Sequence, residues 1–457
     1  MLYGRSIVDA AHDSSVTESY KSSCFEGTRT QHIDDITAWT TGINQSQKHH
    51  LLWMWGPAGV GKSAIAKSCA EKTAEEGMLG ASFFFSRTQH VDDPLRFFTT
   101  IAYQLTMEID EYRKALDLKI QHNPTLPSKG LDVQFRELII KPFLELAKRN
   151  VDVQEKTVII DGLDECNGDS EQSKIMGLVA KSVMEHGDKI PLLWAFFSRP
   201  ESHIAHQFSP YLNSGLLSKV ELPMSESNDS DIKSYFRDKL RPLASADTVW
   251  PLEDTLDILV SMVAGLWIYA ATLVRFIMDP DALSPQRKLE DVLAFHEQRT
   301  QSNHESNVTA ELDAFYKMIM SRVSLKHHLP TIQKALLIHH TASGKALHTI
   351  ANILSLTLDE LKHALSKLYS VLTFIPEKRS WEKLFPGSGH ISFYHASFME
   401  FLLDKTRSGE YWLEDHRHYA ALAIKVLRLF KDLYGMNGIS RGTSFLPGDI
   451  SCCEWNE

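Results

Sequence analysis

The segment Gly56 to Ser63 constrains this chain more than any other, because it reads GPAGVGKS and matches the pattern GxxxxGK[ST] in full. It lies directly between the apolar run LLWMW at 51–55 and the helix-forming stretch AIAKSCAEKTAEE, which is the strand, loop and helix context that the pattern requires. Glycines let such a loop turn tightly and point successive backbone N–H groups at a phosphate near a helix N-terminus. We therefore expect an α/β domain that binds a phosphorylated ligand.

Two side chains of this loop carry specific chemistry. Lys62 supplies a mobile positive charge for β- and γ-phosphates, and the hydroxyl of Ser63 is a hard oxygen ligand suited to Mg²⁺. The alternative is a glycine-rich strand-to-helix turn that binds nothing. The residues that we predict to bind nucleotide here are Gly56, Pro57, Ala58, Gly59, Val60, Gly61, Lys62, Ser63 and Ala64.

Short apolar runs alternate with amphipathic stretches between His49 and Pro223. The runs are LLWMW at 51–55, LGASFFF at 79–85, TVIID at 157–161, LLWAFFS at 192–198 and KVELP at 219–223. Such alternation is typical of βαβ crossovers. It predicts a P-loop NTPase domain built on a parallel sheet with helices on both faces.

The pattern is helical after Pro223. The stretch HEQRTQSNHESN at 296–307 has no apolar residue and is expected to be an exposed loop at a domain boundary. Farther on, a capping box at Thr357 to Glu360 and the alternating segment ISFYH at 391–395 favour a winged helix. The predicted organisation is a disordered lead-in at 1–23, a P-loop nucleotide-binding domain at 24–224, a helical domain at 225–298, a winged-helix domain at 299–410, and a C-terminal helix with a frayed tail at 411–457.

A phosphate loop also needs acidic residues on a second strand, because Mg²⁺ must be held from the other side and a water molecule oriented for attack. Asp161 ends the run KTVIID and is predicted to bind Mg²⁺ together with Ser63. Glu165 can polarise the attacking water, with Asp164 beside it, although both can instead cap the next helix. Arg199 follows another apolar run and can reach a γ-phosphate, or it can be a surface arginine.

The charge of the chain limits its partners. Its 48 Lys and Arg residues against 58 Asp and Glu residues give a net charge of −10, the opposite sign from a protein that coats nucleic acid or anionic lipid. The five cysteines are scattered without zinc-like spacing, and the N-terminal residues do not resemble a signal peptide. These features favour a cytoplasmic location, with no membrane and no nucleic acid as partner.

The motifs, taken in order, resemble the NACHT family of signal-transduction ATPases within the STAND class, in particular the nephrocystin-like NACHT proteins of fungi. The resemblance spans residues 24–412. It rests on CFEGTR at 24–29, GPAGVGKSAIA at 56–66, ASFFFSR at 81–87, TIAYQL at 100–105, IIDGLDEC at 159–166, FSRPESHI at 197–204, GLWIYAATLVRFI at 265–277 and YHASFMEFLLD at 394–404.

The resemblance implies roles for further residues. His395 matches the winged-helix histidine that holds the ADP β-phosphate in this family and locks the closed form. Thr28 and Arg29 are expected beside the adenine or ribose, and Arg87 near the phosphates, although a structural role fits these three equally well. The implied ligands are ATP or ADP with Mg²⁺.

The implied function is a switch of the NOD-like receptor type: Mg-ATP favours an open, self-associating state and ADP a closed state, with slow ATP hydrolysis. One alternative is a scaffold that holds nucleotide without turnover, and another is a truncated fragment of a larger receptor. A DNA-binding winged helix is disfavoured because the segment lacks a basic stripe, and a phosphotransferase because no acceptor site is evident.

Overall fold

The structure is a computed structural model. It describes residues 2–42, 49–211, 215–224, 228–243, 253–279, 284–301, 308–323, 328–341, 346–376, 389–413, 419–420 and 422–427. The predicted C-terminal tail lies almost entirely outside the described residues.

A five-stranded parallel sheet forms the centre of the first domain. Its strands are β1 (Leu51–Trp55), β2 (Leu79–Phe84), β3 (Lys156–Asp161), β4 (Leu192–Ser198) and β5 (Leu217–Glu221). They lie in the order β2-β3-β4-β1-β5, and every pairing is parallel. All five predicted runs are therefore strands, with bounds that differ by at most two residues from the sequence prediction.

Helices cover both faces of this sheet, as predicted. They are α1 (Ser15–Tyr20), α2 (Thr30–Thr41), α3 (Lys62–Glu75), α4 (Phe97–Glu108), α5 (Asp110–His122), α6 (Leu131–Gln134), α7 (Lys141–Lys148), α8 (Asp169–His186) and α9 (Ser202–Phe208). A π-helical segment, Phe135–Ile140, joins α6 to α7. Alternate residues of the strands point into two separate hydrophobic cores, one on each face.

The disorder predicted for residues 1–23 is wrong for the described residues 2–23. Two short 3₁₀ turns, Tyr3–Arg5 and Val8–Ala10, and helix α1 pack along the β2 side of the sheet. The Ser6 hydroxyl donates to the Thr99 carbonyl at 3.1 Å, and Ser14 caps α1 by accepting from the amide of Thr17. The polar composition of the segment does not reveal these long-range bonds.

Within the described part of residues 225–301, four α-helices follow the sheet: α10 (Asp229–Leu240), α11 (Glu253–Val263), α12 (Trp267–Ile277) and α13 (Pro285–Gln301). Helix α13 continues into the stretch predicted to be an exposed loop, so the loop prediction is wrong for residues 296–301. Arg299 in the last turn of α13 binds both carboxylate oxygens of Glu311 at 2.7 and 2.8 Å. This pair stabilises a helix end that has no apolar residue to bury.

The remaining described elements are α14 (Val308–Ser321), α15 (Leu329–Thr341), α16 (Leu347–Leu354), α17 (Leu358–Leu365), β6 (Leu372–Pro376), β7 (Gly389–Phe393), α18 (Ala396–Leu403) and α19 (Lys405–Ser408). The capping box at Thr357 is confirmed at the start of α17. Strands β6 and β7 form an antiparallel pair, but residues 377–388 between them lie outside the described residues. The winged-helix assignment stays a prediction.

One hydrophobic core joins the sheet to these helices. It contains Leu52 and Phe197 of the sheet, Leu273 of α12, and Phe401 of α18. The helical region is thus packed continuously on one face of the P-loop domain. Among the described helices, none combines the length and the apolar character that a membrane crossing requires.

Candidate functional site

The strand order places the predicted site residues together. Strand β4 lies between β1 and β3, and because the strands are parallel their carboxyl ends meet at one edge of the sheet. Trp55 at the end of β1 is in register with Ser198 of β4, and Phe197 is in register with Asp161 of β3. The loop at 56–61, Arg199 and Asp161 therefore lie side by side.

The loop at 56–61 is held from outside by the start of α12. Gly59 and Gly61 have φ values of +78° and +103°, which only glycine adopts without strain. The amide of Ile268 donates to the carbonyl of Gly59 at 3.0 Å. A Cβ atom on Gly59 would lie 2.3 Å from Cγ2 of Ile268, so glycine is also required for this packing.

The Lys62 side chain folds back over the loop. Its ammonium donates to the carbonyls of Gly56 and Pro57, both at 2.7 Å. Burial lowers the pKa of Lys62 to about 8, and the positive charges of Arg199 and Lys21 act in the same direction. The lysine is thus a poorly solvated cation held over the phosphate loop, where a phosphate would find a strong partner.

The two predicted magnesium ligands converge on one point. The ammonium of Lys21 donates to the Ser63 hydroxyl and to Oδ2 of Asp161, each at 2.9 Å. Asp161 is only 1% exposed. Burial alone would lower the pKa of Lys21, but Asp161, Glu165 and Tyr20 together outweigh burial and raise the pKa. The Ser63 hydroxyl and the buried Asp161 carboxylate thus bind one cation together. Both are oxygen ligands of the kind that Mg²⁺ prefers.

Asp164 and Glu165 do not cap the next helix. Helix α8 begins at Asp169 after Gly168 and has no side-chain cap. Instead Oδ1 of Asp164 accepts from the amide of Arg199 at 3.0 Å, and Oε2 of Glu165 accepts from the amide of Arg87 at 3.2 Å. Burial raises the pKa of Glu165 above its ordinary value, which is the direction that suits a general base. Its catalytic role stays a prediction.

Arg87 fixes the same turn from the end of β2. Its guanidinium donates to the carbonyl of Asp164 at 2.6 Å and to the carbonyl of Glu165 at 3.3 Å. Arg87 thus holds the acidic turn in place. Direct contact with a phosphate stays a prediction for this residue.

Arg199 joins the P-loop domain to helix α18. Its Nε lies 3.3 Å from Oδ2 of Asp164, and its Nη2 donates to Oε1 of Glu400 at 2.5 Å. Burial would lower the pKa of Arg199, but the carboxylates of Glu400 and Asp164 raise it. The arginine is therefore a fully charged group held between two acids from distant parts of the chain.

His395 is the residue before α18 and faces the same cluster of charges. Its Nδ1 accepts from the amide of Ser397 at 3.1 Å, so the neutral ring carries its proton on Nε2. Burial lowers the pKa of His395 well below its ordinary value, and the charges of Arg199, Lys21 and Lys62 lower it further. The neutral ring can therefore donate from Nε2 to an anion beside these cations.

Arg29 braces the loop at Val60. Its guanidinium donates to the Val60 carbonyl at 2.9 Å and to Oδ1 of Asn228 at 2.6 Å, and it lies 5.9 Å from the Trp267 ring. Thr28 instead closes its own turn by donating to the Phe25 carbonyl at 2.6 Å. Arg29 thus lies next to the phosphate loop, and contact of either residue with a base or ribose stays a prediction.

Three buried donors around Arg29 have no hydrogen-bond partner among the described residues: Nε of Arg29, Nδ2 of Asn228 and Nε1 of Trp267. Buried donors without partners are costly. Together they fit a ligand that is rich in acceptor atoms, as the base and ribose of a nucleotide are.

Sequence reasoning missed two residues of this cluster. Lys21 lies in the segment that was expected to be disordered, and a lone lysine in a polar stretch carries no signal of its own. Glu400 lies inside the block YHASFMEF, and its position five residues after His395 gives the only hint. Both act through contacts with residues far away in the chain, at Asp161 and Arg199.

A search of solved structures finds chains that are similar to this one. They include the Aeropyrum pernix ORC1 protein in complex with DNA (13% identity, 86% of this chain and 94% of that chain, TM-score 0.33), the Walker-type ATPase PABY2304 of Pyrococcus abyssi (12%, 83% and 97%, 0.38) and the ADP form of the Aeropyrum pernix ORC2 protein (12%, 86% and 97%, 0.39).

A search of curated proteins finds no match. The family model described as Nephrocystin 3, N-terminal, matches residues 27–199. This segment runs from Gly27, inside the CFEGTR block, to Arg199 and includes the phosphate loop and the acidic turn. The family resemblance that the sequence predicted is thus confirmed for residues 27–199, which are similar to the N-terminal region of nephrocystin 3.

Proposed function

We propose that this protein is a nucleotide-dependent switch in which Mg-ATP favours an open, self-associating state and ADP favours a closed state. The observation that carries the proposal is the position of Arg199 between Asp164 and Glu400. Glu400 belongs to α18, in the region that packs on the P-loop domain. A ligand that competes for Arg199 therefore acts directly on the contact between the two regions.

The γ-phosphate is such a competitor. Phosphate oxygens bind a guanidinium in the same two-pronged manner as a carboxylate, so ATP would draw Arg199 away from Glu400, whereas ADP ends one phosphate earlier. His395 would donate from Nε2 to the β-phosphate in the closed state. The two ligands thus differ in their affinity for the two states, which is the condition for any switch.

The same residues support slow hydrolysis. Lys62 would stabilise the negative charge on the transferred phosphoryl group, Ser63 and Asp161 would hold Mg²⁺, and Glu165 would accept the proton of an attacking water. Mg²⁺, when bound, screens the phosphate charge. Glu165 is fixed by Arg87 and Asp164 by Arg199, so the acidic turn is ordered before any substrate arrives.

Nucleotide binding is tested with Lys62→Ala against Lys72→Ala. Lys72 lies on the same helix, but its ammonium pairs with Asp34 on the surface at 2.8 Å. We expect Lys62→Ala to lose ATP and ADP binding by about 10²-fold or more, since a charge-assisted contact is removed, and Lys72→Ala to bind as wild type. Equal retention of both nucleotides by all three proteins would contradict the proposal.

A scaffold that holds nucleotide without turnover is the second candidate, because the closed contacts of Arg199 and His395 suit a permanently bound ADP equally well. Glu165→Gln separates the two. It keeps the shape of the side chain and its contact with the Arg87 amide but cannot accept a proton. A switch that hydrolyses ATP slows measurably in this variant, whereas a scaffold shows the same negligible rate before and after the change.

A further inference from the structure

The segment that precedes the P-loop domain reaches the centre of the site. It is fixed at several points on its way: the Ser23 hydroxyl donates to Glu71 at 2.6 Å, and the Cys24 amide donates to the Ser68 hydroxyl at 2.9 Å. The Lys67 ammonium donates to the carbonyl of Lys21 at 3.1 Å. These bonds to Lys67, Ser68 and Glu71 hold the backbone around Lys21 against helix α3.

The side chain of Lys21 then lies between two oxygen atoms. Its ammonium is 2.9 Å from the Ser63 hydroxyl and 2.9 Å from Oδ2 of Asp161. The Lys21 side chain is 12% exposed and that of Asp161 is 1% exposed. A carboxylate buried to this extent requires a positive partner, and Lys21 supplies it from a segment outside the sheet.

We propose that Lys21 is a built-in counter-ion that competes with a divalent cation for Ser63 and Asp161. One ammonium and one Mg²⁺ cannot share the same two oxygen atoms, because the two cations repel each other at that distance. Full coordination of Mg²⁺ by this site therefore requires that Lys21 leave it. The segment at 15–23 would be released when Mg-nucleotide binds and would return when the metal departs.

The part of this inference that concerns nucleotide rests on the proposed function, whereas the part that concerns Mg²⁺ does not. In the proposed closed state, ADP would bind with Lys21 in place of Mg²⁺. In the open state, Mg-ATP would bind with Lys21 displaced. The position of residues 15–23 would then depend on which cation the site holds.

The first experiment compares wild type, Lys21→Met and Lys72→Met. Methionine is an unbranched side chain one atom shorter than lysine and carries no charge, so Asp161 lacks its Lys21 partner until Mg²⁺ is added. We expect Lys21→Met to melt at a lower temperature in EDTA and to recover in Mg²⁺, while wild type and Lys72→Met respond weakly. We also expect the gain in ADP affinity on addition of Mg²⁺ to be on the order of tenfold larger in Lys21→Met than in wild type, which is a typical coupling between two ligands.

The second experiment uses wild-type protein, so it does not depend on the folding of a variant. Trypsin cleaves after a lysine only when that side chain is accessible. We expect cleavage between Lys21 and Ser22 to be slow in EDTA, and to accelerate when Mg²⁺ and a non-hydrolysable ATP analogue are added together. The analogue in EDTA and Mg²⁺ alone show how much each component contributes.

The outcomes separate the two proposals. Failure to bind any nucleotide overturns the proposed switch, but Mg²⁺ alone still tests Lys21 through the melting temperatures. An identical response to Mg²⁺ in wild type and Lys21→Met overturns the counter-ion proposal, even if nucleotide binds well. Cleavage after Lys21 that is equally fast with and without Mg-nucleotide overturns it too.

Discussion

The ion pair between Arg199 and Glu400 is the contact through which the proposed switch can be tested most directly. The change is Glu400→Gln, which keeps the size of the side chain and removes its charge. Loss of the pair should weaken the closed state and leave Arg199 more available to a γ-phosphate. We therefore expect Mg-ATP affinity to rise relative to ADP affinity, and a larger fraction of the protein to self-associate.

The geometry sets the size of this effect. The two charged atoms are 2.5 Å apart, and the side chains of Arg199 and Glu400 are 25% and 38% exposed. Two unit charges about 4 Å apart interact by about 4 kcal/mol at an effective dielectric constant of about 20, whereas exposed pairs contribute about 0–1 kcal/mol. Because Glu400 is partly solvated and Asp164 also holds the arginine, we assign about 1–2 kcal/mol, or about 5–30-fold in the closed-to-open equilibrium.

The matched control is Asp313→Asn. Asp313 receives two hydrogen bonds from Arg407, at 2.9 and 2.8 Å, and their side chains are 16% and 31% exposed. This pair joins α14 to α19, and both helices lie outside the P-loop domain. Asp313→Asn should lower the melting temperature without changing nucleotide preference.

The assay measures the dissociation constants of fluorescent ADP and Mg-ATP analogues, and molar mass by light scattering with each nucleotide. A ratio of the two constants in Glu400→Gln equal to that in wild type would refute the reasoning, and so would an equal shift in Asp313→Asn. In the first case Arg199 would not couple the nucleotide to α18. In the second, the shift would reflect general destabilisation of the helical region.

Two further predictions concern packing and pH. Gly59→Ala should lower the free energy of unfolding by about 1–3 kcal/mol more than Gly77→Ala. Both glycines have φ near +70° to +80°, but only the new methyl group at 59 meets Ile268. Equal losses of unfolding free energy in denaturant titrations would show that the protein relieves the clash at no cost. For His339, burial lowers the pKa to about 3, and three nearby histidines add to this: His90, His340 and His390. Between pH 6.5 and 3 the unfolded state therefore binds more protons than the folded state, so the free energy of unfolding should fall with acidification by up to about 1.4 kcal/mol per pH unit. His339→Leu should reduce this pH dependence. An unchanged pH dependence in the variant would mean that another group titrates.

Much of the fold was predictable because its signals are local. The apolar runs that became β1 and β4 have the predicted bounds, since a buried parallel strand needs a continuous apolar run between turn residues. The loop at 56–61 is recognisable from spacing alone, and the capping box at Thr357 needs only two residues three positions apart. Each signal depends on neighbours within one element.

The rest depended on contacts that no local pattern encodes. The insertion of β4 between β1 and β3, which brings Arg199 to the phosphate loop, follows from tertiary packing. Lys21 reaches Asp161 only because the first residues fold along the edge of the sheet. The helix at 296–301 was missed because a salt bridge from Arg299, and not an apolar face, holds it.

Helix α18 and its N-cap carry the two residues that the proposed switch assigns to the closed state. His395 stands at its N-terminal boundary, and Glu400 lies on its body. A short helix packed in the core moves as a rigid unit, so the bond from His395 to a β-phosphate and the pair between Glu400 and Arg199 would be made or broken together. A closed state secured by two contacts on one rigid helix would open in an all-or-none manner, and intermediate nucleotide occupancies would change how many molecules are open, not how far each one opens.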